Sequence, residues 1–206
     1  MTDHRHHFDA KANDWDNDPT KIQRARRIAD AIAAQVKLHG DERVFEFGAG
    51  TGLVSQSLAE RVGQLTLADN STGMRDVMAQ KVSQGLLPTG TIITDVNLAA
   101  GERPTTQFDL VIASLVLHHI PDLEPVLEGF CEVLAEGGTV CIADLDEEDG
   151  SFHENFDGFE GHNGFNRESL KAALEGAGLR DVQFDDVGKL EKQGQAFSLF
   201  LATARR

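Results

Sequence analysis

Val44-Phe45-Glu46-Phe47-Gly48-Ala49-Gly50-Thr51-Gly52-Leu53 decides how the rest of this chain is read. A short apolar run ends in an acid, and glycines at three alternating positions precede a segment of helical character. That order predicts a buried strand, a tight turn and a helix start. Glycine costs backbone entropy on folding, so three of them so close together need a geometric reason. Close approach of a ligand to the main chain supplies one.

Three ligand classes favour such a loop: dinucleotides, nucleoside triphosphates and S-adenosylmethionine. A triphosphate loop needs G-x-x-x-x-G-K-[ST], and no lysine follows these glycines. A dinucleotide loop reads G-x-G-x-x-G, whereas the spacing here is G-x-G-x-G. Glu46 at the strand end would repel a pyrophosphate and attract a cation, such as the ammonium or sulfonium of S-adenosylmethionine.

Moving outward, the chain alternates apolar runs with amphipathic segments. A helix is expected from Lys21 to Leu38, with Ile22, Ala25, Ile28, Ala29, Ile32, Ala33 and Val36 on its apolar face. Helices are also expected over Leu53–Arg61, Ser71–Ser83, Asp122–Ala135 and Arg167–Gly176, the last capped by Asn166. Strands are expected at Arg43–Phe47, Leu65–Ala68, Thr91–Thr94, Phe108–Ser114 and Thr139–Ala143, with a closing pair over Val182–Gly188 and Ala196–Thr203. Glu46, Asp69, Asp95 and Asp144 each stand at the carboxyl end of a strand, where open α/β sheets bind ligands. The alternation implies a doubly wound α/β sheet with right-handed crossovers.

Two segments break the rhythm. Residues 1–18 are polar apart from Phe8 and Trp15, and 8–16 form a candidate lid. Residues 147–165 mix Gly, Phe, His and acid and read as an insertion over the active face. One domain over 1–206 is the simplest division for a chain of 206 residues.

With 34 acidic and 19 basic residues, the formal charge is −15. That balance opposes phosphate backbones and anionic lipid, so neither nucleic acid nor a membrane is an expected partner. The cluster Lys21, Arg24, Arg26 and Arg27 reads as a solvated helix face, and the acidic run from Asp144 to Asp149 as a solvated edge. Cys131 and Cys141 have no metal-knuckle or redox spacing and read as core thiols in a reducing compartment. Neither a signal peptide nor a membrane span is recognisable, so the expected location is cytoplasmic. His4, His6 and His7 could take up adventitious metal; three histidines with Asp144 could make a metal site, but no short ligand spacing such as H-x-x-x-H supports it, and no metal is expected.

The E-x-G-x-G-x-G pattern at Glu46, Gly48, Gly50 and Gly52 resembles the first motif of class I S-adenosylmethionine-dependent methyltransferases. Asp69 resembles that family's ribose-binding acid and Asp95 its adenine-contacting acid. Phe108–Ile120, continuing through His118-His119-Ile120-Pro121-Asp122, is similar to the fourth motif of the small-molecule branch, and Gly137-Gly138-Thr139-Val140 to the turn before its fifth strand. The resemblance runs from about Trp15 to Thr203. It implies a Rossmann-like seven-stranded sheet with an antiparallel last strand, S-adenosylmethionine as cofactor, and a small-molecule acceptor. Glu46, Gly48, Ala49, Gly50, Gly52, Asp69, Asn70, Asp95, Val96 and Ser114 are then the expected cofactor residues.

Methyl transfer is in-line displacement at a carbon the sulfonium already activates, so alignment and exclusion of water are the main demands. A base is needed only for an acceptor that enters protonated. His119 is the candidate for that role. Trp15, His118, His153 and His162, together with Phe152, Phe156, Phe159 and Phe165, are the expected acceptor-side groups. A nicotinamide-dependent oxidoreductase and a non-catalytic cofactor-binding module are the alternatives.

Overall fold

In the computed structural model, which describes residues 8–154 and 158–206, the alternating runs build one seven-stranded sheet of order β3-β2-β1-β4-β5-β7-β6. The strands are β1 (Val44–Phe47), β2 (Leu65–Ala68), β3 (Ile92–Thr94), β4 (Phe108–Ser114), β5 (Leu134–Leu145), β6 (Arg180–Lys192) and β7 (Gln195–Arg205). β1 pairs in parallel with β2 and β4, β2 with β3, and β4 with β5. β7 runs antiparallel to both β5 and β6. The chain therefore builds outward from β1 in both directions, which places the topological switch point between β1 and β4.

Strand residues alternate between two cores because helices cover both faces. Phe45, Phe47, Val111, Ala113, Val140 and Ile142 join one core. It is closed by Val126, Leu127 and Phe130 of α4 (Glu124–Val133) and Leu170 and Leu174 of α5 (Arg167–Gly176). Val44, Leu110, Ile112, Cys141 and Ala143 join the other. There they meet Ile28 and Ile32 of α1 (Pro19–Gln35), Leu58 of α2 (Leu53–Leu58) and Met78 of α3 (Thr72–Ser83). Both cysteines are free, and burial pushes the Cys141 thiol up to about 12. No helix among the described residues is long and apolar enough to cross a membrane.

The element boundaries differ from expectation for identifiable reasons. α1 begins two residues early because Asp18 accepts from Thr20 N at 2.9 Å and Pro19 occupies the first turn. α4 stops at Val133, where Leu134 turns extended, so Gly137 and Gly138 lie within a longer β5 and cap nothing. β6 and β7 continue well beyond their apolar stretches as a hairpin turned by Gln193 (φ 54°) and Gly194 (φ 79°). His4, His6, His7 and Phe156 lie outside the described residues.

The acidic run 144–149 is a solvated edge only at Glu147 and Asp149, which are exposed. Asp144 is fully buried, Asp146 forms a paired contact with Arg167 at 2.7 and 2.9 Å, and Glu148 accepts from Gly150 N and Phe152 N. The insertion folds back on itself, so Glu148 finds its donors within that loop.

Candidate active site

A cavity of about 300 Å³ opens at the carboxyl ends of β1, β2 and β4. Its floor is the turn after β1, where Gly48, Gly50 and Gly52 all take positive φ. Each glycine has a different reason to lack a side chain. A Cβ on Gly48 would lie 2.3 Å from Val116 Cγ2, so the turn is pressed against the chain leaving β4. One on Gly52 would meet Leu67 at 3.2 Å, within the core. Gly50 has nothing within 4 Å, because its open side faces the cavity that Gly48, Ala49 and Gly50 help to line.

Glu46 lines this cavity from the end of β1 and is otherwise buried. It accepts from Ser55 N at 3.2 Å and from the Ser55 hydroxyl, at the first turn of α2. Burial raises its pKa to about 7; the Ser55 hydrogen bonds and Lys81 oppose that rise, and nearby Asp69 adds to it. Asp69, at the end of β2, accepts from Gly50 N at 2.8 Å and Ser71 N at 2.9 Å. Burial raises its pKa despite both bonds. Asp69 thus braces the glycine turn while lining the cavity beside Asn70.

Val96 and Ser114 also line the cavity, as does Leu115, a non-glycine residue at φ 52° in the sharp exit from β4. Asp95 is exposed, and neither it nor Gly52 is among the lining residues; Asn97 is.

The leader closes the opposite wall. Phe8 and Trp15 line the cavity with their rings 5.9 Å apart, and Phe8 sits edge-on to His119 at 5.5 Å. Two aspartates pin the leader down. Asp9 accepts from Ser71 Oγ at 2.5 Å and Gly73 N at 2.9 Å, at the start of α3. Asp16 accepts from Thr51 Oγ1 at 2.5 Å and lies 2.5 Å from Lys81 Nζ, which also donates to Thr51 O at 2.9 Å. These anchors were invisible in the sequence, where Asp9 and Asp16 are two acids among several in a polar leader.

The basic cluster on α1 also needs correction. Arg26 and Arg27 are exposed, but Lys21 and Arg24 line the cavity with Ala25 and Ile28. Helical spacing puts 21, 24, 25 and 28 on one side, and that side faces the cavity. Burial lowers the Arg24 pKa. Lys21 Nζ lies 3.6 Å from the centre of the Trp15 ring, a cation–π contact.

Of the two histidines after β4, His119 lines the cavity and His118 lies buried beneath it. His118 Nδ1 is 2.5 Å from Asp144 Oδ1. His153 and His162 are not cavity-lining; His162 N donates to His118 O at 2.8 Å, fastening the insertion to this segment.

A methyltransferase-domain family profile matches residues 21–184. An uncharacterized methyltransferase of Schizosaccharomyces pombe is 29% identical over 72% of this chain and 56% of its own length. A ubiquinone biosynthesis O-methyltransferase of Xanthomonas campestris is 30% identical over 70% of this chain and 62% of its own. The chain thus spans little more than half the length of these relatives. Among solved structures, a DhpI–SAH complex superposes with a TM-score of 0.74 over 98% of this chain and 94% of its own, at 21% identity.

Proposed function

From the premise that this chain belongs to the methyltransferase-domain family, as a class I S-adenosylmethionine-dependent member, we propose that it transfers the methyl group of S-adenosylmethionine to a small-molecule acceptor by in-line displacement. The observation that carries this reading is the polarity of the cavity. One end offers the glycine turn with Glu46 and Asp69, and the other offers Phe8, Trp15, His119, Ile120 and Pro121.

The cofactor's zwitterionic tail suits this arrangement. Glu46 would take the ammonium and Arg24 the carboxylate, while Asp69 would accept from the ribose hydroxyls. Val96, beside Asn97, would meet the adenine by its main chain. The sulfonium methyl would then point toward the Phe8–His119 end, where apolar walls exclude water and align an acceptor. His119 would take a proton from an acceptor that enters protonated.

The names of Xanthomonas relatives, an O-methyltransferase and C-methyltransferases, support an oxygen or carbon acceptor, while the leader and the insertion would set which molecule presents it. Thermal melting with S-adenosylhomocysteine and with NAD tests the cofactor side. The expected result is a rise in Tm with the former alone. A rise with NAD alone would favour the oxidoreductase reading instead.

A further inference from the structure

The sequence offers no H-x-x-x-H spacing, yet the fold collects three imidazoles from two distant segments. His118 and His119 leave β4, and His153 arrives from the insertion. The insertion is held there by close backbone packing. Phe165 N donates to Leu145 O at 2.9 Å, and Asp146 bridges Phe165 as a parallel pair. Gly161 passes so near that a Cβ on it would lie 2.1 Å from His118 O.

The three rings then face one another. Their centroids are 4.1 Å apart for His118–His119, 5.2 Å for His118–His153 and 5.3 Å for His119–His153. One nitrogen from each lies within 4.8 Å of the others. Three imidazoles bound to a tetrahedral ion at about 2.0–2.1 Å would set their nitrogens about 3.3 Å apart and their centroids about 5 Å apart. Binding would draw the nitrogens inward from separations of up to 4.8 Å.

The surroundings fit the same arrangement. Asp144 is fully buried and fixed by Leu117 N at 3.1 Å and Leu145 N at 2.8 Å. With Oδ1 at His118 Nδ1, it holds the tautomer that leaves Nε2 for a ligand, the carboxylate–histidine arrangement seen behind metal sites. His153 is oriented by Phe159, stacked at 3.6 Å and 10°. His119 lines the cavity.

We propose that His118, His119 and His153 bind one divalent first-row transition ion, such as zinc, with Asp144 orienting His118 and a fourth position open toward the cavity. An all-imidazole set suits zinc, iron, nickel or copper rather than magnesium or calcium. The ion's consequence, unlike its binding, rests on the methyl-transfer reading above: it favours an acceptor hydroxyl or thiol. Such a group would ligate the ion and lose its proton to solvent, His119 then serving as a ligand in place of the base role proposed above. Its oxygen or sulfur would bond to the methyl carbon as the carbon–sulfonium bond breaks, the electron pair staying on the cofactor sulfur.

The test is a cobalt(II) titration of the full chain with His4, His6 and His7 replaced by Asn, read by visible absorption and by metal content after gel filtration. One equivalent is expected, with tetrahedral absorption that zinc displaces. In that background His153→Gln should lose stoichiometric binding, and Asp144→Asn should weaken it about 10–100-fold. Melting curves and S-adenosylhomocysteine calorimetry, both metal-free, establish that each variant is folded and test the cofactor reading separately. If His153→Gln fails to fold, His119→Gln replaces it. No cobalt uptake by the parent, or uptake unchanged in a folded histidine variant, overturns the site.

Discussion

Gly48 and Val116 touch so closely that the turn after β1 and the chain leaving β4 form one wall: any Cβ at 48 would lie 2.3 Å from Val116 Cγ2. Gly48→Ala should therefore destabilise the fold by about 1–3 kcal/mol through overpacking and left-handed strain. Gly50→Val should act differently. It shares the strain, but its side chain enters open cavity, so the variant should fold and fail to bind S-adenosylhomocysteine. Melting and calorimetry on both variants separate the effects; normal binding by Gly50→Val would contradict the cavity-facing geometry.

Asp69→Ala should weaken S-adenosylmethionine binding by about 1–3 kcal/mol, the cost of a lost hydrogen bond to a charged group. The variant also frees Gly50 N and Ser71 N, so its Tm should fall as well. Unchanged affinity removes Asp69 from the cofactor site.

Glu46 should make both stability and binding pH-dependent. Between its ordinary value of 4.5 and its folded value of about 7, the unfolded chain carries an ionised carboxylate and the folded chain a neutral one. Stability from this group therefore falls as pH rises through that window, by about 3 kcal/mol in all, and levels off above it. A ligand ammonium favours the carboxylate, so S-adenosylhomocysteine affinity should rise through the same range with proton release. Calorimetry near pH 6 in buffers of different ionisation heat measures that release. Glu46→Gln should abolish its Glu46-linked part, and identical release from the variant would assign the proton elsewhere.

Lys81→Met keeps the buried stem and removes the charge that holds Asp16 and Thr51 O. The leader should loosen, shifting the emission of Trp15, the chain's single tryptophan. Cofactor affinity should drop by about 1–3 kcal/mol. Native emission with native affinity would show that the latch does not hold the leader.

His119→Ala should leave S-adenosylhomocysteine affinity within twofold, as an order-of-magnitude expectation, while kcat on the acceptor falls. Unaltered kcat would retire the residue from the acceptor side.

The parts of the molecule with short, local causes were legible in the sequence. The strand–glycine turn–helix unit, the acid after β2 and the apolar fourth strand follow from residue pattern alone, and with the family resemblance they give the sheet and its antiparallel β7. What escaped depends on packing between distant segments. Arg24 looked like one of four solvated cations because its direction depends on how α1 seats on the sheet. Asp144 looked like the first of an acidic run because its partner, His118, lies on another strand's exit. Asp95 stands after β3 as its pattern indicates, and its exposure goes with an edge strand of three residues.

Asp16 joins the leader to Thr51, in the glycine turn; on the proposed reading these are the cover of the acceptor chamber and the cradle of the cofactor. Cover and cradle are therefore one mechanical part. A change of acceptor achieved by rebuilding the leader would disturb cofactor binding at the same time. The insertion is fastened instead to the β4 exit and to β5. On that reading the insertion is the element to exchange in redesign, since altering the leader would retune the cofactor site.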